Sequence, residues 1–573
     1  MPKRFARSFS YHSILEWTLS RPFLIIACFA GITLLFALQI PNLSFRTSIY
    51  DLLIENHPES IRYANAKEVF GSDEIIRVVV KADDIFNDAT FLKLKALSDA
   101  FGRIEGVRRV ISLPEIKKKV DPGGHWTMDR LANAAAPVKL FEKNLFSTNH
   151  KTSAITLVLE DQASHESVIR RLNDIIKRKS SALALYQIGM PTVSKALVEY
   201  TIKDFKILPP LTLALITLVL LALFRDFTRV FIPLLMVLIV LIWTFGLMAL
   251  MNIPLSLLTM IVPVFLIAVG TAYCLHVMSE YVTNARRAVS GKEVVRQTLT
   301  NTVVPCSLAV VTTLFGVGSL FVNRIPAIHE FALFSCFGII SLLANLLFLM
   351  PAVLVLIPSS NKKIEGYPGI GKQLDRILDS IILLNLKHQK ATLTIIGFLI
   401  LSSVLGIFLI QVETNPVEYF KKNTQLRRNF HDIHQRLSGS FPISVIVESQ
   451  QDYYFENPNH LAELYRFQEY LEALPFVDKT ISFADYVMLV NYVLNQYDPQ
   501  YYNLPQEAFE SRIAINNYIG ILGEDMFLRY MTPQQNKANI LLLTHMSSSR
   551  DFLETREKIL SYARQNFFKG LNF

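Results

Sequence analysis

Cysteine is scarce in this chain and is placed where it cannot cross-link a water-exposed fold. The 573 residues contain four, Cys28, Cys274, Cys306 and Cys336, all within long apolar runs. The two long polar regions therefore hold no disulfide, and each is expected to be stabilised by an apolar core of its own, for which about 160 residues suffice. Other absences exclude whole classes of chemistry. There is no GxxxxGK[ST] loop, no CxxC and no HExxH, which removes the usual sequence signals for nucleotide hydrolysis, thiol redox work and zinc peptidase activity. Charged residues are only 18% of the chain, too few for a soluble protein of this size. No Asp or Glu falls in the middle of any long apolar run.

What is present is hydrocarbon: 51% of the residues are hydrophobic. A helix needs roughly 20 apolar residues to cross a bilayer, and seven segments qualify: 23–41, 207–224, 230–251, 257–279, 303–322, 331–357 and 391–411. No small-residue cleavage site follows the first, so it is not a cleaved signal peptide. Basic residues orient the set. Lys3, Arg4, Arg7 and Arg21 precede the first span, Arg225 and Arg229 separate the second from the third, and Arg286, Arg287, Lys292 and Arg296 separate the fourth from the fifth. Lys362, Lys363, Lys372, Arg376, Lys387 and Lys390 precede the seventh, whereas the short loops on the other side carry only Arg324. The positive-inside rule then puts residues 1–22, an amphipathic segment, and 358–390, an amphipathic linker, in the cytoplasm. The polar regions 42–206 and 412–573 face outward. The net charge of +9 follows from this bias and does not signal nucleic acid.

The construction is begun twice. TSIYDLL after the first span and VFGSDEIIRVVV at 69–80 reappear about 367 positions later as TNPVEYF and RLSGSFPISVIV, a repeat of the kind that marks duplicated transporters. In the first polar region the hydrophobic period switches between strand and helix: EIIRVVVKA, VRRVISL, 152–160 and 183–189 read as strands, and 90–104 and 164–179 as helices. Two β-α-β units in series predict a ferredoxin-like, split β-α-β fold of the α+β class. The second region follows with strands at 442–449 and 538–545, helices at 460–474 and 550–567, and an insertion rich in Tyr and Asn at 484–521. Only 568–573 remain where the closing strand belongs, so the second region is expected to be incomplete and to leave a sheet edge unpaired.

The five spans of 207–357 are expected to pack as one bundle. The fourth is the most polar, with Gly270, Thr271, Tyr273, Cys274 and His276 within two turns and Glu280 beyond. His276 is the ionisable residue well inside these spans. It either carries protons, for which its ordinary pKa is suited, or bonds a neighbouring helix or the headgroups. Pro305, Thr312, Thr313 and Gly316 in the fifth span favour close helix packing over substrate contact. Glu330 at the entry to the sixth suits a helix N-terminus. No catalytic residue, cofactor site or metal site is expected. Asp83, Asp84, His57, His431 and His434 are conceivable ligands, but isolated polar groups on a large surface are usually only solvated.

The string IPLSLLTMIVPVFLIAVGTAYCLHVMSEY, the Pro-Thr-Thr-Gly pattern of the fifth span and IPAIHEFALFSCFGIISLLANLLFLMPAVLVL together resemble the first half of a resistance-nodulation-division (RND) permease of the MMPL, or hydrophobe-exporter, branch, whose helix bundle is similar to sterol-sensing domains. The resemblance implies half of a twelve-helix, pseudosymmetric fold plus the start of the second half, with two periplasmic porter-type domains, in a bacterial inner membrane. It also implies proton-driven export of lipids or other hydrophobic molecules. Where many relatives read Gly-x-Asp-Tyr in helix four, this chain has Ala272, so the usual membrane acid is replaced; Tyr273, His276 and Thr271 are the candidate pathway groups left. With helices eight to twelve missing, the chain is expected to be inactive alone and to need either a separate chain that supplies them or a homo-oligomer. The alternatives are a non-transporting, sterol-sensing-like lipid-binding or regulatory protein, and a split or frameshifted gene product.

Overall fold

The computed structural model describes residues 11–45, 57–71, 74–160, 165–179, 183–224, 226–285, 291–357, 370–410, 415–439, 441–546, 548–566 and 571–572. Residues 47–53, Arg225, Arg286, Arg287, Lys362 and Lys363, on which parts of the repeat and of the orientation rest, lie outside this set. In chain order, α1 (Tyr11–Ser20) and α2 (Pro22–Ala37) lead to α3 (Pro58–Phe70), β1 (Ile75–Lys81), α4 (Asp88–Gly102), β2 (Val107–Ile111), α5 (Leu113–Val120), α6 (Met128–Ala135), β3 (Thr152–Leu159), α7 (His165–Lys179) and β4 (Ala184–Ile188). The helices α8 (Met190–Phe224), α9 (Phe227–Leu250), α10 (Val262–Ala285), α11 (Gly291–Gly318), α12 (Pro326–Ala344), α13 (Met350–Leu356), α14 (Ile370–Lys387) and α15 (Gln389–Ile407) follow. The chain ends with α16 (Gln425–Arg436), β5 (Phe441–Ser449), α17 (Pro458–Glu472), β6 (Val477–Ile481), α18 (Phe483–Leu494), α19 (Ala508–Leu522), α20 (Glu524–Tyr530), β7 (Lys537–Thr544), α21 (Ser549–Asn566) and β8 (Leu571–Asn572).

Two compact units result, one from Met1–Asn56 with Leu197–Leu409 and the other from His57–Ala196 with Ile410–Phe573. The first is the helix block. Among the described residues, seven helical stretches are long and apolar enough to cross a membrane. They overlap the seven expected spans, and all but the fourth, which begins at Thr259, start earlier: α8 begins at Met190 ahead of the apolar span at 207, because the polar residues Lys195, Glu199 and Lys203 lie at helical spacing and extend the helix beyond its apolar stretch. Helices α9, α10 and α12 form the buried centre, where Met236, Val237, Leu266, Ile267, Ile339 and Leu342 are enclosed. Glycine lets them approach: a Cβ on Gly338 would come within 2.5 Å of Leu266. Helix α12 passes into a single π turn, Asn345–Leu349, before α13. Pro351 has no N–H to give Leu347 and its ring crowds that carbonyl, which accounts for the widened turn. Leu15 and Leu19 of α1 are buried in this block, whereas α15 buries no residue.

The second unit joins both polar regions. Each contributes a four-stranded antiparallel sheet, ordered β2-β3-β1-β4 and β6-β7-β5-β8. In each, the first two strands run parallel with the third inserted between them, a split β-α-β unit. The register places Ile75 and Pro442 opposite Val158 and Leu543, so the two first strands correspond at an offset of 367. Each second strand carries a bulge, at Arg108 and at Asp478.

Two expectations are corrected here. The regions do not have separate cores: their buried residues form a single hydrophobic cluster that runs from Ile76, Leu94 and Phe141 to Phe467, Tyr492 and Leu542. The inserted helix α18 and the tyrosines that follow it supply surface that joins them. Nor is the closing strand of the second sheet wholly absent, since Leu571 and Asn572 pair with Ser449 and Glu448. The corresponding first-sheet pairing extends from Lys81 to Arg77.

Candidate functional site

Between the two repeats of the second unit lies a cavity of about 610 Å³, within the size range of small-ligand pockets. One wall comes from β2, α5 and α6, the other from α18 and the end of α19. Leu113, Leu131, Val138, Phe141, Leu489 and Val493 line it with hydrocarbon. The hydroxyls of its tyrosines are already engaged: Tyr492 Oη donates to Ala134 O at 3.0 Å, Tyr497 Oη to Val120 O at 3.2 Å, and Tyr486 pairs with Tyr530. The Trp126 ring meets Tyr497 edge-on at 4.7 Å. Asp121 fixes the loop that carries Trp126 by accepting the backbone N–H groups of His125 and Trp126 and the Lys117 ammonium. Burial pushes the Asp121 carboxyl up, but these three donors outweigh it and hold the group at about 2.

The polar end of the cavity is basic. The bulge in β2 turns Arg108 to Asp525 and Arg109 to the last turn of α19. Arg109 Nη2 and Lys119 Nζ both donate to Leu522 O, at 2.6 and 2.8 Å, where a helix C-terminus favours positive charge. Burial lowers the Lys119 pKa, and the charge of Arg109 lowers it further against the opposing effect of Glu115. Arg109 Nη1 is enclosed with no hydrogen-bond acceptor. None of these residues was singled out in the sequence. Tyr486, Leu489 and Val493 fall at helical spacing within the apolar stretch 483–494, which was the available signal.

In the helix block, Thr271 is buried and its hydroxyl donates to Ile267 O at 2.7 Å in its own helix. Tyr273 Oη lies 3.0 Å from Thr313 Oγ1 of α11. Gly270 is at a tight contact, since a Cβ there would come within 2.9 Å of Val237. Ala272 and His276 instead share an exposed face of α10 with Ala268 and Ser279, and Pro305, Thr312 and Gly316 are exposed on α11. A Cβ on Gly316 would meet no atom within 4 Å, so within this block it does not serve the close packing expected of it. Glu330 is the fifth residue of α12, past the first turn whose free N–H groups it was expected to face, because the helix begins at Pro326. A polar cluster at the α10–α11 contact had gone unnoticed: Glu280 accepts from Asn284 and Asn301, and Asn284 also donates to Thr298.

The residues considered as metal ligands are mostly occupied locally. His57 caps α3, Asp84 accepts from Phe86 N, and His431 contacts Gln435. Asp83 has no part in a cluster of possible ligands among the described residues. His434 does belong to one, with Asp478 and His545, whose ligand atoms lie within 4.8 Å of one another and could hold an ion. Asp478, at the second bulge, lies 3.1 Å from His434 Nδ1 and 2.9 Å from His545 Nδ1 and accepts from Gly439 N.

The MMPL family profile matches residues 61–371, more than half of the chain. The chain belongs to the MMPL family. It is also 21% identical over 354 residues to the membrane protein MJ1562 of Methanocaldococcus jannaschii, an alignment that covers 59% of the present chain and 91% of that protein. This MMPL chain is a multi-pass membrane protein of the RND kind. The matched segment contains the whole of α8 to α13 and one wall of the cavity; the opposite wall, from α18 and α19, lies beyond it.

Proposed function

We propose that this MMPL chain is a transporter component that moves lipids or other hydrophobic molecules outward across the bacterial inner membrane, and that the cavity between the repeats receives them. The observation that carries this reading is the cavity itself, a hydrocarbon-lined space in which the Tyr492 and Tyr497 hydroxyls donate to backbone carbonyls and the Tyr486 hydroxyl pairs with Tyr530. Both repeats of the second unit lie on the periplasmic side, as the basic cytoplasmic flanks of the spans require. The two polar regions are porter-type domains. Their ferredoxin-like folds, related by the offset of 367, enclose the cavity from both sides.

Proton coupling here lacks the usual membrane acid, since Ala272 occupies that position. It relies on Tyr273 with Thr313, and on His276 where the exposed face of α10 meets a second helix block. A second copy of this helix block is one partner that this exposed face can receive. The small residues Ala268, Ala272 and Gly316 leave room for close helix approach on this face. A non-transporting, lipid-binding regulatory role is favoured by one specific observation, the exposed Ala272 in place of an acid.

Reconstitution separates these readings. At many copies per vesicle, an imposed proton gradient is expected to drive efflux of a hydrophobic dye, and at one copy per vesicle it is expected not to. Efflux at one copy would overturn the need for a partner block. Dye binding with no gradient-driven movement at any copy number would favour the regulatory role.

A further inference from the structure

From the basic end of the cavity we infer that its ligand is a single-chain amphiphile with an anionic oxygen headgroup, carboxylate or phosphate, held by Arg109 and Lys119. The inference rests on the cavity being the binding site proposed above. Three observations converge. The hydroxyls of the aromatic wall are engaged, those of Tyr492 and Tyr497 with Ala134 O and Val120 O and that of Tyr486 with Tyr530, so a polar ligand group finds few partners along the apolar length. Two cations meet at one point, both bonded to the single carbonyl of Leu522, and neither forms an ion pair with a carboxylate among the described residues. Arg109 also keeps one terminal nitrogen buried without an acceptor, a condition that costs free energy until an acceptor arrives.

An anion placed between the guanidinium and the ammonium supplies that acceptor and offsets the repulsion that Arg109 imposes on Lys119. The neighbouring Arg108 is already committed to Asp525, which keeps the recognition local to two side chains. An uncharged ligand of the same length would fill the hydrocarbon part and leave the cations as they are.

The test uses the full chain in nanodiscs with photoreactive probes of one chain length: a fatty acid, a lysophosphatidic acid and the corresponding neutral alcohol. Labelled peptides are mapped by mass spectrometry. The acid and phosphate probes are expected to label residues 113–145 and 486–526. Competition by the unlabelled anions should be about tenfold weaker in Arg109→Gln and Lys119→Gln. The variants Arg109→Lys and Lys119→Arg should restore it, and the melting temperature of each variant is checked against the parent. Preference for the carboxylate over the phosphate, or the reverse, identifies the headgroup. Labelling by the alcohol that equals labelling by the acids, unaffected by the Gln variants, would overturn the headgroup inference while leaving the cavity as a hydrophobic site. Absence of every probe from these peptides would instead defeat the cavity reading on which the inference stands.

Discussion

At the scale of single residues, the second unit depends on two buried charges that act in opposite ways. Arg77 of β1 is fully enclosed, and burial lowers its pKa to about 10, so it remains charged at neutral pH. Its guanidinium bonds Ser438 Oγ at 2.9 Å and Asn144 O at 2.7 Å, and so ties the first repeat to the loop before β5. Arg77→Met should lower the stability of the second unit by about 2–4 kcal/mol, because the removed donors leave buried acceptors unpaired. Arg77→Lys should recover little, as one ammonium cannot span both acceptors; denaturant unfolding followed by tryptophan fluorescence checks both. Asp485 is the contrasting case. Burial raises its carboxyl from 3.8 to about 6 despite the Ser482 N–H and the Gln468 amide that it accepts. The folded state therefore keeps a proton between about pH 4 and 6 that the unfolded state releases, so this residue's contribution is most favourable below pH 4 and is lost as pH rises through 6. Asp485→Asn should remove that slope. It should also raise stability near pH 7.5 by up to about 3 kcal/mol, since a single amide oxygen can accept both donors that now share Oδ2. Melting temperatures of the two proteins at pH 5 and pH 7.5 read the difference, and equal slopes would refute the assignment.

At the scale of elements, the sequence was legible wherever a period was long and uninterrupted. The short β-branched run in EIIRVVVKA gave β1, and Ile169 and Leu172 at helical spacing gave the buried face of α7. The strand β6 was missed because VDKTI holds a lysine and an aspartate, yet Lys479 is buried against Glu472 and Asp478 sits at a bulge. Such pairing is tertiary and leaves no periodic trace. The apolar span read at 207–224 lies inside the longer α8, since apolarity marks where a helix enters hydrocarbon and not where it begins. The bulges themselves were invisible in the sequence, although they aim Arg109 at the cavity and Asp478 at two histidines. The glycine before α8 has a legible consequence. Gly189 has φ near +138°, and a Cβ there would come within 2.3 Å of Ile75 O. Gly189→Ala should force β4 away from β1 and destabilise the first sheet by more than about 2 kcal/mol. Hydrogen exchange should show the loss first in residues 184–188.

At the scale of the whole molecule, the two repeats are far apart in sequence and inseparable in structure. The buried cluster draws Ile76, Leu113 and Phe141 from one and Tyr492, Tyr518 and Leu542 from the other, and the cavity has one wall from each. Length alone suggested that each polar region could bury a sufficient core, and length was misleading because α18 and the C-terminal end of α19 meet the other repeat. If residues 57–196 are produced alone, the cavity wall of β2, α5 and α6 becomes an exposed apolar face, and Arg77 loses Ser438. If residues 410–573 are produced alone, Tyr492 loses Ala134 O and α18 is uncovered. Neither piece should give a cooperative thermal transition, whereas the two joined by a flexible linker in place of the helix block should give one. A cooperative transition in either piece alone would mean that the shared core is not what stabilises the fold. In that event the cavity would be a contact between two independent domains, able to open without unfolding, and ligand release would require only their separation.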